Sequence, residues 1–177
     1  MKKTLVIHPQ DSSTDFLKLI YADKKNWTIV NSCDISKEQL KKLIKKHNRI
    51  IMMGHGVPNG LINPKHFGLL IDSSFVPLFR KKETISIWCN SDKFFKPFGL
   101  KGFHTGMIIS EVREAQIVLG ETPLDEIQTL ENMQAFARII NKCIDEEPHK
   151  MKDYILKNYT FEDKVTQYNR ENIIVLD

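Results

Sequence analysis

With 177 residues, 41% of them hydrophobic, the chain is long enough to bury one sizeable core. A formal charge of +4 makes it only mildly basic, and its lysines are spread over predicted helices, which argues against nucleic acid as the partner. No apolar run approaches the roughly 18 residues of a membrane span, which argues against a membrane partner; the opening run stops at His8-Pro9, too short for a secretory signal.

The first strand is expected at Thr4–Ile7, a short β-branched apolar run. A loop, His8 to Ser13, leads to a helix expected over Thr14–Asp23, with Phe16, Leu17, Leu19 and Ile20 inward. Trp27–Val30 is the second strand. Ser36 with Gln39 three residues on is a capping-box pattern, and Leu40, Leu43 and Ile44 form the stripe of the helix it opens. Ile50–Met53 is the third strand and runs into Gly54-His55-Gly56.

Pro58-Asn59-Gly60 signals a turn, and Leu61-Ile62 with Leu69–Ile71 suggest the arms of a small hairpin. Ser73 or Ser74 is expected to cap a short helix reaching Lys81. Thr84–Trp88 is the fourth strand and ends at Cys89. Asn90–Lys101 reads as irregular, Gly106–Ile109 as a fifth strand and Glu111–Leu119 as helix. A long helix is expected from Pro123 to Ile144, capped by Thr122 and apolar at Ile127, Leu130, Met133, Phe136, Ile140 and Ile144. A helix over Lys150–Asn158 and a strand at Ile173–Leu176 close the pattern.

Strands alternating with helices imply right-handed crossovers and a mostly parallel central sheet covered on both faces. The expected fold is a three-layer α/β sandwich, with residues 1–177 as one domain and no linker or repeat. In such a sheet the carboxyl strand ends share one edge, where open α/β sheets place their ligands. His8, His55 and Cys89 each follow a strand and so are expected on that edge.

A thiol beside an imidazole is the minimum equipment of a cysteine nucleophile, because the base can draw off the thiol proton. Cys89 ends an apolar strand and is followed by polar Asn90-Ser91-Asp92, wet enough to hold a thiolate. Glycines on both sides of His55 allow close approach of a substrate, and the Gly56 amide is free to donate to an oxyanion. Cys33 has no comparable partner, and Cys143 sits on an amphipathic helix as a core residue. Three cysteines without close pairs argue against a disulfide framework and point to free thiols in a reducing, cytoplasmic setting.

A hydrophobic strand ending in His-Gly, followed by a second ending in Cys, resembles the caspase–haemoglobinase fold of clan CD cysteine peptidases, among them caspases, legumain, gingipain and clostripain. The resemblance covers roughly residues 1–110. It implies a caspase-like sheet and hydrolysis of peptide bonds in a peptide or protein substrate. It also implies Cys89 as nucleophile, His55 as general base or acid, and the Gly56 and Cys89 amides as oxyanion hole. No metal or organic cofactor is implied. His8, Trp88 and Asp92 are the candidate substrate contacts, Asp92 for a basic side chain; Trp88 stands where these peptidases carry a small or acidic residue.

Other readings compete. His8, His55 and Cys89 offer three ligands of the kind catalytic zinc uses. The same strand–helix order also describes a flavodoxin-like doubly wound sheet. In that case the chain is a non-catalytic module that binds a ligand or protein through the same edge. Its Gly54–Gly60 turn could wrap a phosphate, although it lacks the dinucleotide and Walker spacings. Asp11 and the following serines can simply cap the next helix, and packing is the favoured role for Phe94, Phe95 and Phe98. The sequence sets no oligomeric state.

Overall fold

The apolar runs become strands whose successive side chains point to opposite faces. In the computed structural model, which describes residues 2–177, these are β1 (Thr4–Ile7), β2 (Thr28–Val30), β3 (Arg49–Met53) and β7 (Glu83–Ile87). Met1, where the expected single-domain span begins, lies outside the described residues. Leu5, Ile7, Ile50 and Met52 face one core; Val6, Ile51, Met53, Ile85 and Ile87 face the other. Burial on both faces is the signature of a parallel sheet covered by helices.

The six-stranded sheet has the order β2-β1-β3-β7-β8-β9. All neighbours are parallel except β9 (Ile173–Leu176), which runs antiparallel to β8 (Gly102–Thr105). The molecule is therefore the expected three-layer α/β sandwich with a mostly parallel sheet. Its first five strands follow the flavodoxin-like doubly wound order, which reverses direction between β1 and β3. One face is covered by a 3₁₀ segment (Ser12–Ile20), α5 (Glu126–Cys143) and α6 (Pro148–Asn158). The other is covered by α1 (Lys37–Lys46), α2 (Val76–Phe79) and α3 (Ser91–Phe95). No helix among the described residues is long and apolar enough to cross a membrane.

Several local expectations are corrected. The segment after β1 is 3₁₀ rather than α, because Asp11 accepts from the Ser13 amide and closes a tight turn at once. Asp72, not Ser73 or Ser74, caps the short helical segment over Ser73–Phe79. The stretch read as irregular forms α3, entered through Asn90 in the left-handed region at φ 65°. The fifth parallel strand is Gly102–Thr105, four residues before the expected run. Ile109 is instead tied outside the sheet, its N–H and C=O both bonded to the Asn169 side chain.

The long helix starts at Glu126 because Asp125 and Gln128 form a complete capping box there. That leaves Ile127 71% and Leu130 50% exposed, so the apolar stripe of α5 effectively begins at Met133. Two further helices complete the chain: α4 (Val112–Leu119), close to the expected span, and α7 (Lys164–Glu171), which the hydrophobic pattern does not signal. Beyond β3, β4 (Gly56–Val57), β5 (Gly60–Asn63) and β6 (Gly68–Ile71) form a small antiparallel sheet containing the expected hairpin.

Candidate functional site

The loop after β1 meets the loop after β3 where the strand order reverses. Ser13 Oγ lies 2.7 Å from His55 Nε2 and 2.8 Å from Asp11 Oδ1, and Asp11 Oδ2 lies 3.8 Å from His55 Nε2. Counting protons assigns the donors. The Asp11 carboxylate can only accept, so it takes the Ser13 hydroxyl proton; Ser13 must then accept from His55, whose Nε2 carries the hydrogen. The His55 ring nitrogen Nδ1 is left as an acceptor with no protein hydrogen bond among the described residues. Burial would raise the Asp11 carboxyl, but the Ser13 amide and hydroxyl and the nearby His55 and His8 outweigh it and hold it below its ordinary value.

Gly56 is required by packing. A Cβ there would lie 2.0 Å from Trp88 Cδ1, so the indole rests directly on the glycine backbone. Trp88 is buried, packs at a tilt against the rings of Phe94 and Phe95, and leaves its Nε1 without a partner. It is thus a wall under the β3–β4 turn rather than an open substrate contact. Asp92 is half-buried in the first turn of α3, with Oδ1 buried and unpaired. Phe94 and Phe95 are core residues.

Cys89 lines a cavity of about 30 Å³ together with His55, Gly54, Ile108 and Phe136. That is room for about one water. Its thiol turns to the Ile108 carbonyl at 3.5 Å rather than to the imidazole. Only the protonated thiol can make that bond. Burial, with the charge of Glu114 adding to it, pushes the Cys89 thiol up to about 11. At pH 7 such a thiol is overwhelmingly protonated. A reactive cysteine needs the opposite surroundings.

His8 is buried, with Nδ1 2.9 Å from the Tyr21 hydroxyl and Nε2 3.2 Å from Thr14 Oγ1. Burial, helped by Lys18, lowers it to about 4, so it is neutral and has no free nitrogen for a substrate. His8, His55 and Cys89 do not form a zinc ligand set, and no group of three metal-ligating side chains gathers among the described residues.

A larger cavity of about 290 Å³ adjoins this edge. Phe16 and Ser110 line both cavities, and Ser13, Arg113 and Glu126 border the outer one. The sequence reading places the loop through Ser13 beside the pocket without giving Ser13 a role, and it misses Ser110. The available signal for Ser13 is its place in a polar loop directly after β1, at the strand-order reversal.

No family model matches the chain. No curated protein matches it either. A solved structure of an NADPH-quinone reductase from P. pentosaceus is 15% identical, covers 96% of this chain and 98% of its own, and superposes with a TM-score of 0.34. The caspase-type resemblance is corrected, and with it the cysteine-peptidase function and the His–Cys dyad. The physical reason lies in the side chains: Cys89 is a protonated thiol bonded to a carbonyl, and His55 Nε2 is committed to Ser13.

Proposed function

We propose that the chain is a non-catalytic α/β binding module that takes a small ligand at the strand-order reversal between β1 and β3. The observation carrying this reading is the Asp11–Ser13–His55 chain, which fixes the imidazole and leaves Nδ1 as an acceptor beside a cavity. Open α/β sheets bind ligands in this crevice, outside the carboxyl ends of the strands. A ligand suited to it offers a hydroxyl or amide donor to His55 Nδ1. Its apolar or aromatic body would lie against Phe16, in the outer cavity of about 290 Å³. Gly56 supports the turn, and Ser110 supplies a second polar group on the shared wall.

The name of the quinone reductase belongs to that protein. Here the loop after β1 has no glycine and carries the Asp11 carboxylate, a poor cradle for a nucleotide phosphate. The three free thiols suit a reducing, cytoplasmic setting.

The test is a fragment screen of phenols and aryl amides against isotope-labelled protein, read by NMR. The expected result is hits whose shifts cluster on Ser13, His55, Gly56 and Ser110, with affinity weakened roughly tenfold or more in His55→Phe. Hits that cluster elsewhere, or that ignore His55→Phe, overturn the reading.

A further inference from the structure

The largest groove described lies away from the strand-end site, along the outer edge of the sheet. It holds about 600 Å³ between β2 and α1 and is bordered by Ile29, Val30, Asn31, Ile35, Lys42 and Leu43. β2 is an edge strand, paired only with β1. The His8 amide donates to the Val30 carbonyl at 2.9 Å, so Val30 turns its peptide groups toward β1. Along a strand these groups alternate between the two edges, so the N–H and C=O of Ile29 face outward, into the groove.

An exposed edge is normally guarded by charge or proline on the strand itself. β2 reads Thr28-Ile29-Val30 and has neither, and Ile29 is 38% exposed. The charge sits instead on the flanking helix. Lys42, Lys45 and Lys46 share one exposed face of α1, and none has an ion pair among the described residues. The acid bordering the groove, Asp34, is already engaged by Lys65 at 2.6 Å and His66 at 3.0 Å. The groove thus combines free backbone hydrogen-bonding groups, an apolar lining and uncompensated positive charge.

We infer that β2 is a docking edge for an extended acidic peptide, which adds to the sheet as a further strand. Main-chain bonds to Ile29 supply the common contact, as in other strand-addition complexes. Alternate apolar side chains of the peptide meet Ile35 and Leu43, while its Asp or Glu residues face Lys42 and Lys46. The charges set which peptides bind and how fast they arrive. This inference is independent of the strand-end ligand.

The test uses a random twelve-residue peptide library displayed on phage and panned against the whole protein. Enriched peptides are then resynthesised with a fluorescent label and titrated by anisotropy. The expected peptides alternate β-branched with acidic residues. Ile29→Pro removes the outward N–H, a change that edge strands tolerate, and is expected to weaken binding roughly tenfold. Lys42→Glu with Lys46→Glu is expected to weaken it by a similar factor and to remove most of its salt dependence. Thermal melts confirm that each variant folds. Failure to enrich any peptide overturns the inference. So does enrichment of peptides indifferent to both variants, or equal binding of heparin, which would mark a general polyanion surface.

Discussion

β3 and β7 are neighbours in the sheet, and each runs out into a residue capable of chemistry, yet the two ends differ. After β3 the chain turns through glycines, and His55 meets the polar loop of β1, with its side chain a third exposed. After β7 the chain enters a dry network. Ser91 Oγ takes the Thr105 amide at 2.9 Å, Thr105 Oγ1 donates to the Trp88 carbonyl, and Cys89 turns to the Ile108 carbonyl. Reactivity is thus decided by what the following segment does to water, not by the strand that delivers the residue. A polar loop leaves His55 usable, while the half-buried Cys89 is held as a protonated thiol on the Ile108 carbonyl.

The largest effect should come from the wall that separates the two ends. Trp88→Ala empties a fully buried ring site and is expected to cost about 3–5 kcal/mol in urea denaturation. Gly56→Ala pushes a Cβ into that same ring and is expected to cost about 1–3 kcal/mol. Because the clash needs the indole, Gly56→Ala should become nearly neutral in the Trp88→Ala background. Additive losses would mean that Trp88 is not what fixes the β3 turn.

Next is reactivity. Cys89 is expected to alkylate with iodoacetamide about a hundredfold more slowly than an ordinary thiol at neutral pH, with no change in His55→Ala. Site-resolved mass spectrometry reads this directly. Fast labelling that depends on His55 would erase the contrast between the two strand ends.

The pH dependence sharpens it further, because buried neutral histidines flank the two strand ends, His8 after β1 and His104 within β8. His8 is lowered to about 4 and His104 to about 3, each chiefly by burial, from an ordinary 6.5. Below pH 6.5 the unfolded chain binds protons at both sites and the folded chain does not, so stability falls with pH. The loss runs from 6.5 down toward about 4 for His8 and about 3 for His104. Asp11 and Asp72, held below the ordinary carboxylate value of 3.8, lose their contribution only at lower pH. Urea midpoints between about pH 6.5 and pH 4 should therefore decline in wild type and decline less in His104→Gln. A flat profile in wild type would mean that these rings are not sealed.

The layers of the fold are legible in the sequence, because Leu5-Val6-Ile7 and Ile50–Met53 are apolar at every position, as a doubly buried parallel strand requires. The capping box at Ser36 and Gln39 is equally legible, since its hydrogen bonds are local. Gly102–Thr105 is not: His104 and Thr105 look like surface residues, and only the Ser86, Ser91 and Phe95 contacts of the folded sheet make them core. At the site, the sequence can bring His55 and Cys89 to one edge. It cannot show which partner each side chain takes, because Ser13 and Ile108 compete for them through space.

The smallest effect tests the wet end itself. Ser13→Ala removes two part-buried hydrogen bonds, to Asp11 and to His55, and is expected to cost about 1–2 kcal/mol. Its informative consequence is on the ring. In wild type the Asp11–Ser13 bond consumes the hydroxyl proton, so His55 must carry hydrogen on Nε2, and nitrogen chemical shifts should report that tautomer. Without Ser13 the constraint is gone, and the two neutral tautomers should mix. Asp11→Asn separates the parts: an amide can donate as well as accept, so it loosens the assignment while leaving Ser13 in place. A wild-type ring with hydrogen on Nδ1 would mean that Ser13 donates to His55 instead. The acceptor offered to the cavity would then be gone, and the contrast with the carbonyl-bound Cys89 thiol would lose its chemical content.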